Sequence, residues 1–481
     1  MLQHNTALTY DWNITPRALL TVSGGYLRSM SIFNSPVVGN DNLTANAGIQ
    51  GFPTAGREKA IGLPTVSFTG YAGFAAPWGN PGRLALWAMN YKANMSYVRG
   101  AHSLSFGYHY QDGRSVTSHA SCCSRGVFGF NGQYTNDGFA DYLLGDIQTS
   151  SRNYPLNAIG VSHSPYHALY LQEFYKLTQN LTLNLGIRWD CWGEKGFTRG
   201  TGSTFLTSIG KSVAGENFDH QVDLTSQAVS PFLAKATDGL WVPASSVGLP
   251  PGLFTSRSLF SPRIGIAWRP FGSNDLVVRA GYGLFPSIYR DNITGSSIIG
   301  PPYWTFETQG WGRSQLQRWE TAWPQDPSSF ISPSVQAAKP DLPLMKSHQF
   351  NVSVQKSVPR LKSALTLAYV GNRGDDLLTQ WSFNTPPPGA YTNLQASRPW
   401  PKFGDVELYD SVGYSAYDAM QVKWERRFTG GLAYQMSYSL GKNLDYGGAT
   451  IWDIPTPFAP KGYDYGRSQN DHTHILTLNA V

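Results

Sequence analysis

The feature that most constrains the fold is an alternation of apolar and polar residues at every second position, which recurs along the whole chain. Between residues 85 and 97 the odd positions are apolar or aromatic, and the even positions from Asn90 onward are polar. A period of two residues predicts β-strands, because successive side chains of a strand point to opposite faces of the sheet. The pattern resumes at residues 104–110 after a short turn at residues 99–101, which predicts an antiparallel hairpin.

Six hairpins of this kind and one last strand are predicted, which makes thirteen strands. The paired runs are residues 6–12 with 18–32, 85–97 with 104–110, 166–177 with 181–189, 264–268 with 276–284, 350–354 with 365–369 and 420–424 with 432–440, and the last strand begins at His474. The connections between hairpins are long and rich in Gly, Pro, Ser and Asn: residues 33–83, 115–164, 192–261, 287–345, 372–414 and 443–471. Because short and long connections alternate, all long ones lie at one end of an up-and-down sheet.

This asymmetry is typical of bacterial outer-membrane β-barrels, which have short periplasmic turns and long external loops. Only 14% of the residues are charged, against roughly 25% in soluble domains. Side chains can fill a closed barrel of about eight strands, but a barrel of thirteen or more has a wide, watery lumen. We therefore predict an all-β, transmembrane, antiparallel up-and-down barrel with long extracellular loops. The alternative is a soluble β-sandwich or propeller with ordinary buried aromatic residues.

The charged residues of the predicted strands fall on their polar face, where a hydrated lumen would surround them. The predicted lumen wall includes Lys92, Arg188, Arg279, Lys423 and Glu425. The apolar stripes carry no charge, as expected if a charge at the lipid midplane costs about 2–4 kcal/mol. Aromatic residues near the ends of the stripes are predicted to form interfacial girdles: Tyr97, Tyr108, Tyr110, Trp189, Trp268 and Trp424. Glu173 leaves the register of its strand open.

One loop, residues 301–323, is far more aromatic than a solvated loop usually is. Aromatic faces beside polar groups suit stacking on sugars or peptides, so this loop is predicted to form part of the outer ligand-binding surface. The predicted ligand-binding residues are Trp304, Trp311, Trp319, Trp323, Arg313 and Arg318. The structural alternative is a small loop core in which residues 314–323 form a short amphipathic helix.

The sequence contains no constellation expected of an enzyme, a metal site or a cofactor site. The Gly210-Lys211-Ser212 run lacks the earlier glycine of a phosphate loop, because that position is Phe205. His472 and His474 share one strand face, but no further ligand is in sight. The net charge of +6 is spread along the chain, so nucleic-acid binding is not expected either.

Five segments together resemble the barrel of Oar-like TonB-dependent receptors. They read YLQEFYKLTQNLTLNLGIRWD (170–190), FSPRIGIAW (260–268), VRAGYGLF (278–285), AYVGNRG (368–374) and YDAMQVKWERRF (417–428). The resemblance implies a receptor of the bacterial outer membrane, with a barrel of roughly 22 strands closed by a plug. It also implies energised uptake, through the TonB complex, of a large solute such as an oligosaccharide, a peptide or a metal chelate.

Residues 1–481 are accordingly expected to form one partial barrel domain of a larger receptor. No secretory signal, N-terminal regulatory domain, plug or TonB-contacting segment is recognisable, and single-chain bacterial barrels have even strand numbers. The expected partners are outer-membrane lipid, an extracellular solute and the TonB complex, the last through a plug that this chain lacks. A passive porin or surface adhesin on the same barrel, or a soluble all-β binding protein, are the alternative functions.

Overall fold

The computed structural model describes residues 2–33, 46–50, 64–74, 82–119, 126–154, 159–193, 196–197, 202–216, 237–273, 275–287, 300–302, 305–323, 332–447, 455–460 and 462–481. Within these ranges the chain is almost entirely β, as predicted, and the α-helix α1 spans Gly138–Leu144. None of the helices in the described ranges is long and apolar enough to cross a bilayer.

The strands are numbered in chain order. They are β1 Leu2–Thr15, β2 Ala18–Phe33, β3 Thr65–Phe68, β4 Tyr71–Phe74, β5 Gly82–Arg99, β6 His102–His119, β7 Val127–Phe130, β8 Thr149–Tyr154, β9 Ile159–Lys176, β10 Leu181–Trp192, β11 Gly196–Phe197, β12 Ser203–Leu206, β13 Lys211–Ala214, β14 Trp241–Pro243, β15 Arg257–Trp268, β16 Leu276–Ser287, β17 Thr305–Gly310, β18 Val335–Ala338, β19 Met345–Val358, β20 Ser363–Ser382, β21 Val406–Thr429, β22 Leu432–Tyr446, β23 Gly466–Arg467 and β24 His474–Ala480. Short 3₁₀ turns occupy Ala244–Val247, Trp319–Thr321, Pro359–Leu361 and Gln395–Ser397.

The long strands form one antiparallel sheet whose order follows the chain. The order is β1-β2-β5-β6-β9-β10-β15-β16-β19-β20-β21-β22, and β24 pairs with β22. These are the thirteen predicted strands, joined by the short strands β11, β18 and β23. Hairpin turns close one end of the sheet, called the turn side, and the long connections leave the other end, called the loop side. Between β21 and β22 the turn is Gly430-Gly431, with φ angles of 62° and 80°, the left-handed conformation that a tight two-residue hairpin requires.

Several strands extend beyond the predicted boundaries on the loop side. The predicted connection 372–414 was wrong, because β20 continues to Ser382 and pairs with β21 from Glu407 onward. β6 and β9 likewise extend into the predicted connection 115–164. The apolar and polar alternation stops where the outer side chains leave the hydrocarbon, whereas the backbone ladder continues past that point. Hydropathy therefore locates the apolar part of each strand and not its end.

The outer face of the sheet carries the apolar stripes, with neighbours matched across strands. Leu367 of β20 lies opposite Val354 of β19 and Val422 of β21. Large apolar side chains on this face are exposed by roughly half or more: Leu8 77%, Leu169 50%, Ile264 51%, Val352 48%, Leu367 50% and Leu476 64%. So large and continuous an apolar surface is expected where lipid chains are the solvent.

On the loop side the outer face ends in tyrosine–histidine pairs. The hydroxyls of Tyr108, Tyr282 and Tyr438 lie 2.7–2.8 Å from Nδ1 of a histidine on the next strand. The histidines are His167, His348 and His474. Beside these pairs the same face carries charges: Arg373, which lies opposite His348, has its Nη2 2.9 Å from Asp418 Oδ1. Amphipathic rings beside charges indicate the boundary between hydrocarbon and headgroups.

On the turn side, Glu173 shows how the register of β9 is set. It lies on the outer face, opposite Leu104 and Leu185, near the strand end at Lys176. His102 Nδ1 approaches its Oε1 to 2.5 Å. Trp268, 47% exposed, ends a neighbouring stripe at the same side. The acidic residue therefore lies at the turn-side boundary of the apolar band, where water and headgroups can solvate it.

Candidate functional site

Three long connections meet on the loop side to form one small folded unit. Strands β3 and β4 follow β2, strands β7 and β8 with α1 follow β6, and β17 follows β16. They form a separate five-stranded sheet of order β17-β8-β7-β3-β4, in which β3 and β7 are parallel. We call this sheet, together with α1 and residues 311–323, the aromatic cap.

An aromatic core holds the aromatic cap together. Its buried residues are Ile49, Val66, Phe68, Phe128, Phe130, Ile147, Ala322 and Trp323. Trp319 packs against them, with its ring centroid 6.0 Å from that of Phe128. Arg152 is fully buried, and its guanidinium carbon lies 5.0 Å from the centre of the Trp323 ring. A desolvated guanidinium over an indole face adds a cation–π interaction to the apolar packing.

Residues 311–323 lie along the segment that follows α1 and are fixed to it by backbone hydrogen bonds. The Trp311 amide donates to the Gln148 carbonyl at 2.9 Å, and the Trp319 amide donates to the Gly145 carbonyl at 2.9 Å. Arg318 Nε also lies 3.3 Å from Asp146 Oδ1. This docking explains why no amphipathic helix forms at residues 314–323, where the structure has a turn around residues 313–315 and a 3₁₀ turn at Trp319–Thr321.

The predicted ligand-binding residues therefore divide by exposure. Trp323 is buried, Trp311 and Trp319 are half-buried against the core, and Arg313 and Arg318 are exposed. Trp304 lies outside the described residues. The structure thus contains a loop core like that of the structural alternative, but without its helix. Contact of these residues with a ligand stays a prediction.

An exposed apolar patch on the aromatic cap was not predicted from the sequence. On α1 it includes Phe139, Leu143 and Leu144, which are 40%, 69% and 51% exposed, and beside them Tyr71 and Phe74 are 54% and 45% exposed. The rings of Tyr71 and Phe139 lie 5.8 Å apart, so the two segments form one surface.

The helix that presents this patch has a sequence signal that could have been found. Asp137 caps its first turn by accepting the amide hydrogens of Phe139 and Ala140, each at 2.9 Å, and Gly145 ends it in the left-handed conformation. The Tyr71 hydroxyl donates to Asp137 Oδ2 at 2.8 Å. The Ala140 amide and the Tyr71 hydroxyl hold the pKa of Asp137 below its usual range.

The predicted lumen-wall residues all lie on the inner face, opposite the apolar stripes. Arg188 Nε donates to Asp190 Oδ1 at 2.8 Å, and Lys423 Nζ lies 2.6 Å from Glu425 Oε2. Arg279 Nη1 donates to Gln355 Oε1 at 3.0 Å, and Lys92 lies opposite Ser23 and His109 in the sheet register. The wall is therefore polar, hydrogen-bonded and suited to a hydrated solute.

A second loop cluster lies where β18 pairs in parallel with the start of β21. Its buried apolar residues are Phe205, Leu240, Val335, Ala337, Phe403, Val406 and Leu408. Glu407 lies between two of these residues in the chain, and its carboxylate accepts hydrogen bonds from the side chains of Gln380 and Gln336. Burial, with the nearby Asp405 as a second cause, raises the pKa of the Glu407 carboxyl despite these donors.

Glu407→Gln is expected to raise the melting temperature at about pH 7 and to change it little at about pH 4. The folded state protonates this acid more readily than the unfolded state does. The contribution of the Glu407 carboxyl to the free energy of unfolding is therefore fully present below its pKa in the unfolded state and is lost as the pH rises through its pKa in the folded state. Thermal unfolding in detergent, followed by circular dichroism at both pH values, measures the effect. The exposed Asp341→Asn is the control, and an equal shift for both variants would contradict the expectation.

In the parts of the chain that the structure describes, no group of three or more His, Cys, Asp or Glu residues is placed to hold a metal ion. The described contacts of the aromatic cap and the inner wall instead provide rings, amides and paired charges. Side chains of these kinds can contact a solute through ring stacking and hydrogen bonds.

Comparisons with known proteins agree with this architecture. The family described as outer membrane beta barrel domain matches residues 1–481. The outer membrane transporter YddB from Escherichia coli is similar in structure, with a TM-score of 0.55 and 12% identity over 99% of this chain and 48% of that chain. The siderophore receptor PiuA from Acinetobacter baumannii aligns over 99% of this chain and 52% of its own at 10% identity, but its TM-score of 0.43 is too low to support an argument.

This chain thus spans about half the length of the solved structures it matches, 48% of YddB and 52% of PiuA. No curated protein sequence matches it. The family match over its whole length, the antiparallel up-and-down sheet and the exposed apolar outer face point to one conclusion. The chain belongs to the outer membrane beta barrel domain family and is a protein of the bacterial outer membrane.

Proposed function

We propose that this chain is the barrel wall and loop cap of a TonB-dependent receptor of the Oar-like kind, which captures a large solute outside the cell. The observation that carries the proposal is the aromatic cap, because three loops distant in sequence fold into one unit with an exposed apolar patch. A rigid platform of rings beside a polar inner wall suits an oligosaccharide, a peptide or a metal chelate.

Energised uptake is favoured over a passive porin because the loop side carries folded structure. Backbone hydrogen bonds join the loops to each other, as between the Ile147 amide and the Gln317 carbonyl at 2.9 Å. A wide passive pore needs no such folded receptor surface. The proposal includes a plug and the TonB complex as partners of the full-length receptor.

The double variant Phe139→Ala, Leu143→Ala is expected to weaken solute binding about tenfold, because it removes two exposed anchors of the patch. Alanine is the best helix former, so α1 and its caps are preserved. The measurement is binding of a dextrin mixture, a peptide digest and a ferric catecholate to cells that make the full-length receptor. Tyr463→Ala, which removes a 70% exposed ring outside the aromatic cap, is the matched control.

Uptake of the bound probe is expected to stop when the proton gradient of the inner membrane is collapsed. Uptake that continues without the gradient would support the passive porin, and binding without any uptake would support the adhesin. Equal binding by the wild type and the double variant would instead show that the apolar patch is not the capture surface.

A further inference from the structure

The inner face contains a basic cavity near the turn side, at the opposite end of the sheet from the aromatic cap. Its volume is about 480 Å³. The residues that line it are Lys176, Thr178, Gln179, Asn180, Thr182, Ala267, Arg269, Val277 and Arg279. Three of these side chains are cationic and none is acidic, so the cavity has a strongly one-sided charge.

The sheet register explains why this cavity is open. Lys176 of β9 lies opposite Thr182 of β10, Thr182 lies opposite Ala267 of β15, and Ala267 lies opposite Arg279 of β16. One lateral row across four strands therefore has a cation at each end and two short side chains between them. Three strand spacings separate the Cα atoms of Lys176 and Arg279 by about 14 Å. The short side chains leave room for a small molecule between the two cations.

Arg269, which directly follows the last residue of β15, adds a third cation on the turn side of this row. Its amide donates to the Asn180 carbonyl at 2.8 Å, and its guanidinium donates to the Gln179 carbonyl. The hairpin turn between β9 and β10 thus holds Arg269 at the cavity. The side chains of Thr178, Asn180 and Thr182 supply further hydrogen-bond donors along the lining.

Two cations elsewhere on the inner wall are paired with acidic residues. Arg188 is neutralised by Asp190 and Lys423 by Glu425. Within the described residues, neither Lys176 nor Arg279 forms an ion pair, and the described partner of the Arg279 guanidinium is the neutral Gln355. Cations gathered around a cavity without a carboxylate are electrostatically complementary to a ligand with negative charge.

We propose that this cavity binds a small polyanion, a solute that carries two or more carboxylate or phosphate groups, on the turn side of the wall. Its volume lies within the range of roughly 300–1,000 Å³ typical of small-molecule sites. Arginine binds carboxylate and phosphate through two parallel hydrogen bonds, and lysine adds a point charge. The proposal deepens the proposed function, on which it rests, because it assigns an anionic character to the transported solute.

The test uses the full chain, folded in detergent micelles, and isothermal titration with inorganic pyrophosphate and with citrate. The wild type is expected to bind both, with an affinity that falls as salt is added. The double variant Lys176→Gln, Arg279→Gln is expected to bind at least about tenfold more weakly. Arg279→Lys, which keeps the charge, is expected to retain most of the binding. Arg17→Gln removes one exposed turn-side charge outside the cavity and is expected to leave the affinity unchanged.

Equal affinities for the wild type and the double variant overturn the proposal, and so does an equal loss in Arg17→Gln, which would show a general effect of net charge. Binding of hexaglutamate without binding of pyrophosphate or citrate also overturns it, in favour of an acidic protein segment. Failure of the proposed function is distinguishable: polyanion binding by the cavity with no energised uptake in cells rejects the receptor and leaves the site intact.

Discussion

Leu367→Arg is expected to abolish insertion of the barrel into lipid, whereas Ala368→Arg in the next position is expected to leave insertion intact. Leu367 is 50% exposed on the outer face, between Val354 and Val422 of the neighbouring strands. A cation there would face hydrocarbon and cost about 2–4 kcal/mol near the midplane. Ala368 lies on the inner face, opposite Ser353 and Gln421, where water can solvate an added guanidinium.

The two variants form a matched pair because they introduce the same side chain at adjacent positions of one strand. Insertion is measured by folding into lipid vesicles, through protease protection and the heat-modifiable gel mobility of folded barrels. Equal impairment by both variants would show that the outer and inner faces have been assigned wrongly. Impairment by Ala368→Arg alone would reverse the assignment of the two faces.

Trp323→Ala is expected to unfold the aromatic cap while the barrel wall stays folded. Trp323 is 3% exposed in the aromatic core, and replacement of a buried tryptophan by alanine typically costs about 3–5 kcal/mol. The same change removes the ring beneath the buried Arg152 guanidinium, which costs further free energy because a desolvated cation loses its π partner. Near-ultraviolet circular dichroism and limited proteolysis of the loops measure the loss.

The control for Trp323→Ala is Arg313→Ala, which truncates an exposed side chain of the same segment. Its expected effect on stability lies within about 0.5 kcal/mol. If Trp323→Ala left the proteolysis pattern of the cap unchanged but weakened solute binding, the residue would serve as a ligand contact and not as core. Loss of the wall strands in the same variant would contradict the independence of cap and wall.

The barrel wall could be predicted from the sequence because the alternation that identifies each strand lies within that strand's own residues. The alternation around Leu367 or Ile264 repeats every two residues, and the solvent of each face selects the same residue types along the whole strand. The loop-side strand ends could not be predicted in this way. At the start of β21, Glu407 and Leu408 are held by β18 and β20 and not by lipid, so the binary pattern no longer describes them.

The aromatic cap could not be predicted because its pairings join distant segments. Val66 pairs with Phe128, and Trp323 is buried only because Phe128 and Arg152 come from another loop. A ligand-contacting tryptophan and a core tryptophan look alike in a sequence. The basic cavity was also missed for this reason, since Lys176 and Arg279 become neighbours only through the register of four strands.

The length of β20 and β21 has a mechanical consequence. A strand needs roughly 9–11 residues to cross the membrane, yet β21 has 24 and β20 has 20. The loop-side parts of β20 and β21 therefore extend beyond the headgroups, and the two strands are hydrogen-bonded to each other along most of their length. A force that pulls on the second loop cluster therefore reaches the embedded wall through paired backbone. Amide hydrogens along these extended strands are expected to exchange as slowly as those within the membrane, while the irregular connection between Ser382 and Val406, which lies outside the strand ladder, exchanges faster.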